Sequence, residues 1–283
     1  MRGGQWQVVR LVEGLIASGI ECRLQARAGS PLLAEALRRG WTAEPLSPWR
    51  VFKAVRQCDL VHCHDARTHT LAAVCGGAPL IVARRVAFPI GGGWKYGRAA
   101  RYIAVSRFVA GILTEGGVAR ERIAVVHDGV PLLNGAEKRD GVIAPDNITD
   151  AMKGAAIVAN ASELSSIDVR YSDDLEHDLL TAAVFVYVSH SEGLGSAVLL
   201  AMSAGAAVIA SDVGGLPEIV NHRETGLLVE NIPQAVGSAM RQLVLKPEWA
   251  QQLAAAARRR IEQEFTVETM VSKTLDVYRQ VLA

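Results

Sequence analysis

Short apolar runs alternate with amphipathic stretches along the whole chain, the signature of βαβ units. In the first turns apolar positions recur at helical spacing: Val8, Val9, Leu11, Val12, Leu15 and Ile16 form one broad face. This predicts a helix over 5–18. A strand is predicted over 21–26, then a helix over 31–39 with Pro31 in the favoured first-turn position. Asp59-Leu-Val-His-Cys-His, Pro79-Leu-Ile-Val-Ala-Arg, Tyr102-Ile-Ala-Val-Ser and Arg122-Ile-Ala-Val-Val read as four further strands. The polar stretch 134–150 is the expected linker, dividing the chain into domains 1–133 and 134–283. Strands are predicted again at Ala155-Ala-Ile-Val-Ala, Val184-Phe-Val-Tyr-Val, Ala207-Val-Ile-Ala-Ser and Gly226-Leu-Leu-Val. Helices over 233–245, 247–263 and 266–281 close the chain, the last expected to cross back onto the first domain.

At 283 residues the chain can build two α/β domains, each burying its own core. Half the residues are hydrophobic and only 5% aromatic, as suits helices on buried parallel strands. The net charge of +1 points to no nucleic acid. Its distribution is uneven: 18 Lys and Arg against 9 Asp and Glu through residue 130, then 12 against 20. A basic first half suits an anionic ligand or peripheral contact with an anionic membrane. Cys22, Cys58, Cys63 and Cys75 show no metal-type pairing and read as free thiols of a reducing compartment. No apolar run approaches the ~20 residues that span a bilayer. The expectation is a cytoplasmic protein, peripheral on the inner membrane face.

One feature breaks the alternation. Arg2-Gly3-Gly4-Gln5 opens a helix at once, whereas a glycine turn of this kind normally follows a strand that aims its amides at a ligand. The first sheet is therefore expected to lack a first strand, or the true start lies upstream.

The chemistry concentrates in Val184-Phe-Val-Tyr-Val-Ser-His-Ser-Glu-Gly-Leu-Gly-Ser, a buried strand, a loop with Glu192, Gly193 and Gly195, and a helix from about Ser196. Such a loop directs backbone N–H groups and the positive helix end toward the carboxyl edge of the sheet. Glu192 could accept hydrogen bonds from sugar hydroxyls. A tight turn with a capping glutamate is the plainer reading of that segment alone. His62 and His64 alternate on one strand face, while Cys63 points to the other, which argues against a metal site there. Arg84 and Arg85 follow the next strand and could grip an anionic acceptor or a diphosphate; solvated charge is the alternative. Asp173-Asp174 reads as a helix cap, and Gly91-Gly92-Gly93 as a flexible loop.

The ordered set Ser-Glu-Gly-Leu-Gly, Ala-Met-Ser-Ala-Gly, Ser-Asp-Val-Gly-Gly-Leu-Pro-Glu-Ile-Val and Thr-Gly-Leu-Leu-Val resembles the retaining family 4 glycosyltransferases of GT-B fold. Arg2-Gly-Gly-Gln, Asp59-Leu-Val-His-Cys-His-Asp, Ile103-Ala-Val-Ser and Val125-Val-His-Asp-Gly-Val are similar to landmarks of that family's first half. The resemblance implies two Rossmann-like domains facing a cleft, and transfer of a sugar from a nucleotide sugar with retention of configuration. It assigns Glu192 the catalytic place and the donor to Gly3, Gly4, Lys153, Ser189, Gly193, Leu194, Gly195 and Ser196. It puts His64, Arg84 and Arg85 on the side of a lipid-linked or envelope acceptor, in polysaccharide biosynthesis, and implies no metal and no cofactor.

Two departures stand out. Leu200 occupies the place of a second acidic residue that holds the ribose. The Gly-Arg…Lys loop that grips the diphosphate has no clear counterpart between Val130 and Val184, where Lys138, Arg139 and Lys153 lack the expected strand-loop-helix setting. Gly141-Val-Ile-Ala-Pro is the candidate remnant of that strand, and Lys153 the substitute cation. A shortened second domain follows, and with it the alternative of a catalytically impaired relative acting as a binding protein.

Overall fold

A computed structural model describes residues 1, 3–136, 139–146 and 151–283. The chain forms two compact units, Met1–Gly129 with Val267–Ala283, and Val130–Thr266.

The first unit opens with α1 (Gly3–Ala17), β1 (Leu24–Ala26), α2 (Pro31–Arg38), β2 (Ala43–Pro45) and α3 (Pro48–Ala54). Ser30 and Ser47 cap α2 and α3, each accepting from a backbone N–H three residues on, and a proline follows each cap. Next come β3 (Val61–Cys63), α4 (Ala66–Cys75), β4 (Leu80–Arg84), α5 (Trp94–Arg98), β5 (Arg101–Ala104), α6 (Arg107–Glu115) and β6 (Ile123–Val125). Strands β3-β4-β5-β6 form a parallel sheet in sequence order, while β1 and β2 pair separately. Among the described residues no strand precedes α1, whose apolar face packs Leu11 and Leu15 toward Ile81, Ile103 and Val126.

The second unit holds β7 (Asp140–Pro145), α7 (Ala155–Ser165), β8 (Val169–Ser172), α8 (Leu175–Asp178), β9 (Ala182–Tyr187), α9 (Ser196–Ala204), β10 (Ala207–Ser211), β11 (Leu227–Val229), α10 (Pro233–Leu245) and α11 (Pro247–Glu264). Its sheet is all parallel in the order β11-β10-β9-β7-β8, with the crossovers of a Rossmann-like fold. Asp174 caps α8 through His177 N, as its place in the sequence predicts. The final helix, α12 (Val267–Leu282), belongs to the first unit, where Met270, Val271 and Val277 complete the core around Leu11 and Leu15.

Two sequence expectations are corrected. The polar stretch 134–150 is not a linker: it contains β7, an interior strand whose Val142, Ile143 and Ala144 are buried. The chain instead passes between units at Gly129 and Val130. Ala155-Ala-Ile-Val-Ala is not a strand but the first turns of α7, with Val158 and Ala161 buried at helical spacing. Periodicity cannot separate a short apolar strand from a buried helix. The left-handed Gly154 (φ 57°) starts the helix there, and β7 already fills the neighbouring place in the sheet.

Candidate functional site

In the second unit, β9 carries Tyr187 to the carboxyl edge of the sheet, where the chain turns through 188–195 into α9. The turn is tied down from several sides. Ser189 donates its amide to Ser211 Oγ (2.9 Å), Ser211 Oγ donates to Asn231 Oδ1 (2.5 Å), and Asn231 Nδ2 donates back to the Ser189 carbonyl (2.9 Å). Ser189 itself is wholly buried, its hydroxyl donating to the Ser191 carbonyl at 2.9 Å. It holds the loop from beneath.

Glu192 is the focus of the turn. Its Oε2 accepts from Lys153 Nζ at 2.7 Å and from the Tyr187 hydroxyl at 2.5 Å. Lys153 Nζ also donates to the Tyr187 hydroxyl oxygen at 2.7 Å, closing a triangle. Oε1 accepts from Gly193 N at 3.1 Å. The side chains of Glu192 and Lys153 are 17% and 23% exposed, so this pair interacts with little screening. Lys153 lies between β7 and α7, which corrects the expectation that it lacks a strand-loop-helix setting. It reaches Glu192 because Gly154, with its positive φ, packs against Val188 so closely that a Cβ would meet Val188 Cγ1 at 2.4 Å.

The glycines of the turn serve the protein's own packing more than an open approach. A Cβ at Gly195 (φ 111°) would meet Leu216 Cδ2 at 2.6 Å. The 213–215 turn lies on the loop from the other side, Gly215 N donating to the Glu192 carbonyl at 3.1 Å. The expectation that this loop directs its backbone N–H groups toward a ligand is therefore corrected for Gly193, whose N–H is held by Glu192. Leu194 is 2% exposed and is a core side chain, so only its backbone can face a ligand. Ser196 opens α9. Leu200 is 6% exposed within the same helix, in an apolar setting. Arg139 donates to the Leu179 and Ala182 carbonyls at 3.0 Å and to Ala204 O, which makes it a structural clamp. Lys138 lies outside the described residues.

The first unit holds a second cluster. Strands β3 and β4 pair Cys63 with Val82, which brings the residues beyond their ends together. The rings of His62 and His64 lie with centroids 4.1 Å apart, tilted by 38°. His62 Nδ1 bonds the hydroxyl of Tyr278 on α12 at 2.7 Å. Arg85 donates from one terminal nitrogen to His64 Nδ1 (3.0 Å) and from Nε to Asp128 (3.0 Å), whose side chain is 5% exposed. Burial, and then the Arg85 charge, push His62 down to about 3. Burial, then His62 and Arg85, hold His64 well below the usual histidine range. Cys63 faces away into the core, where burial raises its thiol to about 12.

The acceptor-side residues read from the sequence line one cavity of about 270 Å³: His64, Arg84 and Arg85, together with Asp65, Tyr96 and Tyr102. Asp65 caps α4, accepting from the amides of Arg67 and Thr68. Arg84 donates to the Phe88 carbonyl at 2.5 Å, while its Nε is buried without a partner among the described residues. Gly3 and Gly4 form the exposed first turn of α1. Among the described residues no group of His, Cys, Asp and Glu is arranged to hold a metal ion. Tyr187, Asp128 and Tyr278 were not singled out from the sequence. Tyr187 carried a faint signal as the one hydroxyl in a strand of valines and phenylalanine, and Tyr278 none, since its partner is 216 residues away.

Comparisons with known proteins agree with this division. A model of family 4 glycosyltransferases matches residues 1–132, and a model of group 1 glycosyl transferases matches residues 168–260. The alpha-maltose-1-phosphate synthase of Mycolicibacterium smegmatis is 40% identical over 112 residues, 37% of this chain and 29% of that protein. The D-inositol 3-phosphate glycosyltransferase of Streptomyces griseus is 31% identical over 178 residues, 62% of this chain and 36% of that protein. These matches span about a third of the length of either relative. Anabaena HepE, solved with UDP and glucose, superposes with a TM-score of 0.87 at 14% identity, over 99% of this chain and 96% of the other. A glycosyltransferase of Rickettsia africae superposes at 0.82 with 17% identity, over 98% and 94%. The fold is that of the GT-B glycosyltransferases.

Proposed function

We propose, from the premise that this chain belongs to the family 4 glycosyltransferases, that it moves a sugar from a nucleotide-sugar donor to an acceptor with retention of configuration. The observation that carries the reading is Glu192 fixed at the head of α9 by Lys153, Tyr187 and its own loop. A carboxylate with both oxygens oriented is built to receive sugar hydroxyls, and the fixed geometry lowers the reorganisation needed when they arrive. Lys153 is the cation nearest to it and, with the backbone of Gly195 and Ser196, is assigned the leaving diphosphate. That HepE binds UDP and glucose supports a donor of this class. The first unit takes the acceptor at His64, Arg84 and Arg85. Gly3 and Gly4 at the start of α1 are assigned to the donor from that unit.

No side chain is given a nucleophilic role, and no metal is invoked: charge on the leaving group is met by Lys153 and helix amides. No described helix is long and apolar enough to cross a membrane. The excess of basic residues in the first half supports peripheral contact with an anionic surface on the cytoplasmic side, in envelope polysaccharide assembly. Calorimetry with UDP-, GDP- and ADP-sugars tests the reading. One of them is expected to bind, and Glu192→Gln should weaken it about ten- to a hundredfold, the value of a charge-assisted hydrogen bond. Binding of no nucleotide sugar would leave the fold and remove the function. Product analysis by NMR then reads the anomeric outcome.

A further inference from the structure

The cavity to which the transferase reading gives the acceptor contains an arrangement that narrows what the acceptor can be. Arg85 has no acceptor atom, so the 3.0 Å contact to His64 Nδ1 can form only if that nitrogen is unprotonated. His64 is then neutral and carries its single proton on Nε2. Asp128, buried on the other side of Arg85, fixes the guanidinium so that the tautomer is set by geometry. Neutrality agrees with the depressed basicity of both imidazoles. His64 is therefore a hydrogen-bond donor toward any ligand and cannot act there as a base.

The other polar groups of the cavity point the same way. Arg84 uses one terminal nitrogen on the Phe88 carbonyl, while its Nε lies buried and unpartnered among the described residues. An orphaned guanidinium N–H is expensive to bury unless an acceptor arrives. The Tyr102 hydroxyl donates to the Tyr96 carbonyl, and the Asp65 carboxylate is exposed at the cap of α4. What remains beside that exposed carboxylate is the His64 Nε2–H and a half-buried arginine, both donors. At about 270 Å³ the space lies at the small end of ligand pockets, enough for a headgroup and too little for an oligosaccharide.

We propose that this cavity takes the acceptor by a phosphate ester on a small polyol, with Arg84 as its cation, His64 as an Nε2–H donor, and Arg85 as the positioning residue that fixes the His64 tautomer. The proposal rests on the transferase reading only for the word acceptor; the anion site itself stands on the cavity. With one terminal nitrogen on the Phe88 carbonyl and Nε buried, Arg84 offers a phosphate oxygen its other terminal nitrogen.

The test uses the full chain with ¹⁵N-labelled histidine, titrated with glycerol phosphate. His64 is expected to show an unprotonated Nδ1 and a protonated Nε2, and Arg85→Gln to mix the two tautomers. Glycerol phosphate should shift the Nε2 signal. Arg84→Gln should weaken that binding about tenfold or more, and Arg84→Lys should recover part of it. Vesicles of phosphatidylglycerol set against phosphatidylcholine separate the two sources of the group: response to the vesicles without response to the soluble ester assigns it to a lipid headgroup. A His64 proton on Nδ1, or a tautomer indifferent to Arg85→Gln, would overturn the positioning role. Equal binding by wild type and Arg84→Gln, or no binding of either probe, would overturn the phosphate site. UDP-sugar calorimetry on the same sample tells the two readings apart, since a donor that binds while both phosphate probes fail sinks this proposal alone.

Discussion

At the scale of single residues, the Lys153–Tyr187–Glu192 triangle combines charge, burial and short contacts. Replacing Lys153 with Met would leave Glu192, 17% exposed, with one hydroxyl and one amide as partners. The loss of a charge-assisted bond predicts about 1.5–3 kcal/mol less stability, read from urea unfolding followed on the second unit. Tyr187→Phe removes a second bond to the same ionised carboxylate, also charge-assisted, and should cost a comparable amount, about 1.5–3 kcal/mol. A loss from Tyr187→Phe well below that from Lys153→Met would mean that the ion pair alone holds Glu192. The neighbouring histidines of the first unit predict a pH effect whose sign is fixed by their burial. His62 sits at about 3 in the folded protein, facing Tyr278 from α12 and His64 and Arg85 from the sheet edge, whereas a free imidazole titrates near 6.5. Below about 6.5 the unfolded chain binds the extra proton. Stability is thus fully present above that pH and falls as pH drops toward 3, by up to roughly 1.4 kcal/mol per unit for one histidine. Urea midpoints measured between pH 7.5 and 5 should show this slope, and His62→Gln should reduce it while the contribution of buried His64 remains.

At the scale of elements, the turn that carries Glu192 is shaped by glycines of neighbouring loops. A Cβ at Gly214 (φ 58°) would stand 2.1 Å from the Glu192 carbonyl oxygen, so Gly214→Ala must push the two loops apart. Strain of the left-handed backbone adds to the clash. The expected outcome is a loss of about 2 kcal/mol or more together with weaker nucleotide-sugar binding; a variant as stable as the parent would show that the loops are not in contact. This is also where the sequence was legible and where it was not. The strand-loop-helix around Glu192 was visible because a run of five buried residues, two glycines and a helical pattern follow one another locally. Gly141-Val-Ile-Ala-Pro was legible as the remnant of a strand and is β7, but its glycine, its proline and the charged residues beside it made the surrounding stretch read as a linker. With β7 read only as a remnant, α7 was mistaken for a strand and Lys153 lost its setting. Partners such as Asp128 for Arg85 depend on which strand ends become neighbours, and sheet order is not written in any one segment.

At the scale of the whole molecule, the chain leaves the first unit at Gly129 and returns to it at Val267, so the last helix completes a core begun at the first. The two crossing points lie side by side, Val130 N donating to the Phe265 carbonyl at 2.9 Å. α12 meets α1 closely enough that a Cβ on Gly14 would stand 2.4 Å from Val271 Cγ2, and it supplies the buried Met270, Val271 and Val277. Each of those side chains contributes roughly 1.5–3 kcal/mol by burial, while a domain is stable by only about 5–15 kcal/mol in all. Deleting 267–283 should therefore unfold the first unit. The core of the second, from Val142 to Ala254, contains no residue of α12 and should persist. Hydrogen exchange on the truncated chain is expected to show protected amides in β9 and β10 and rapid exchange in β4 and β5. Gly14→Leu, which wedges α1 from α12 without shortening the chain, should produce a milder form of the same pattern. Protection lost equally in both sheets would mean that the units fold as one, and that the closing helix stabilises more than the unit to which it returns.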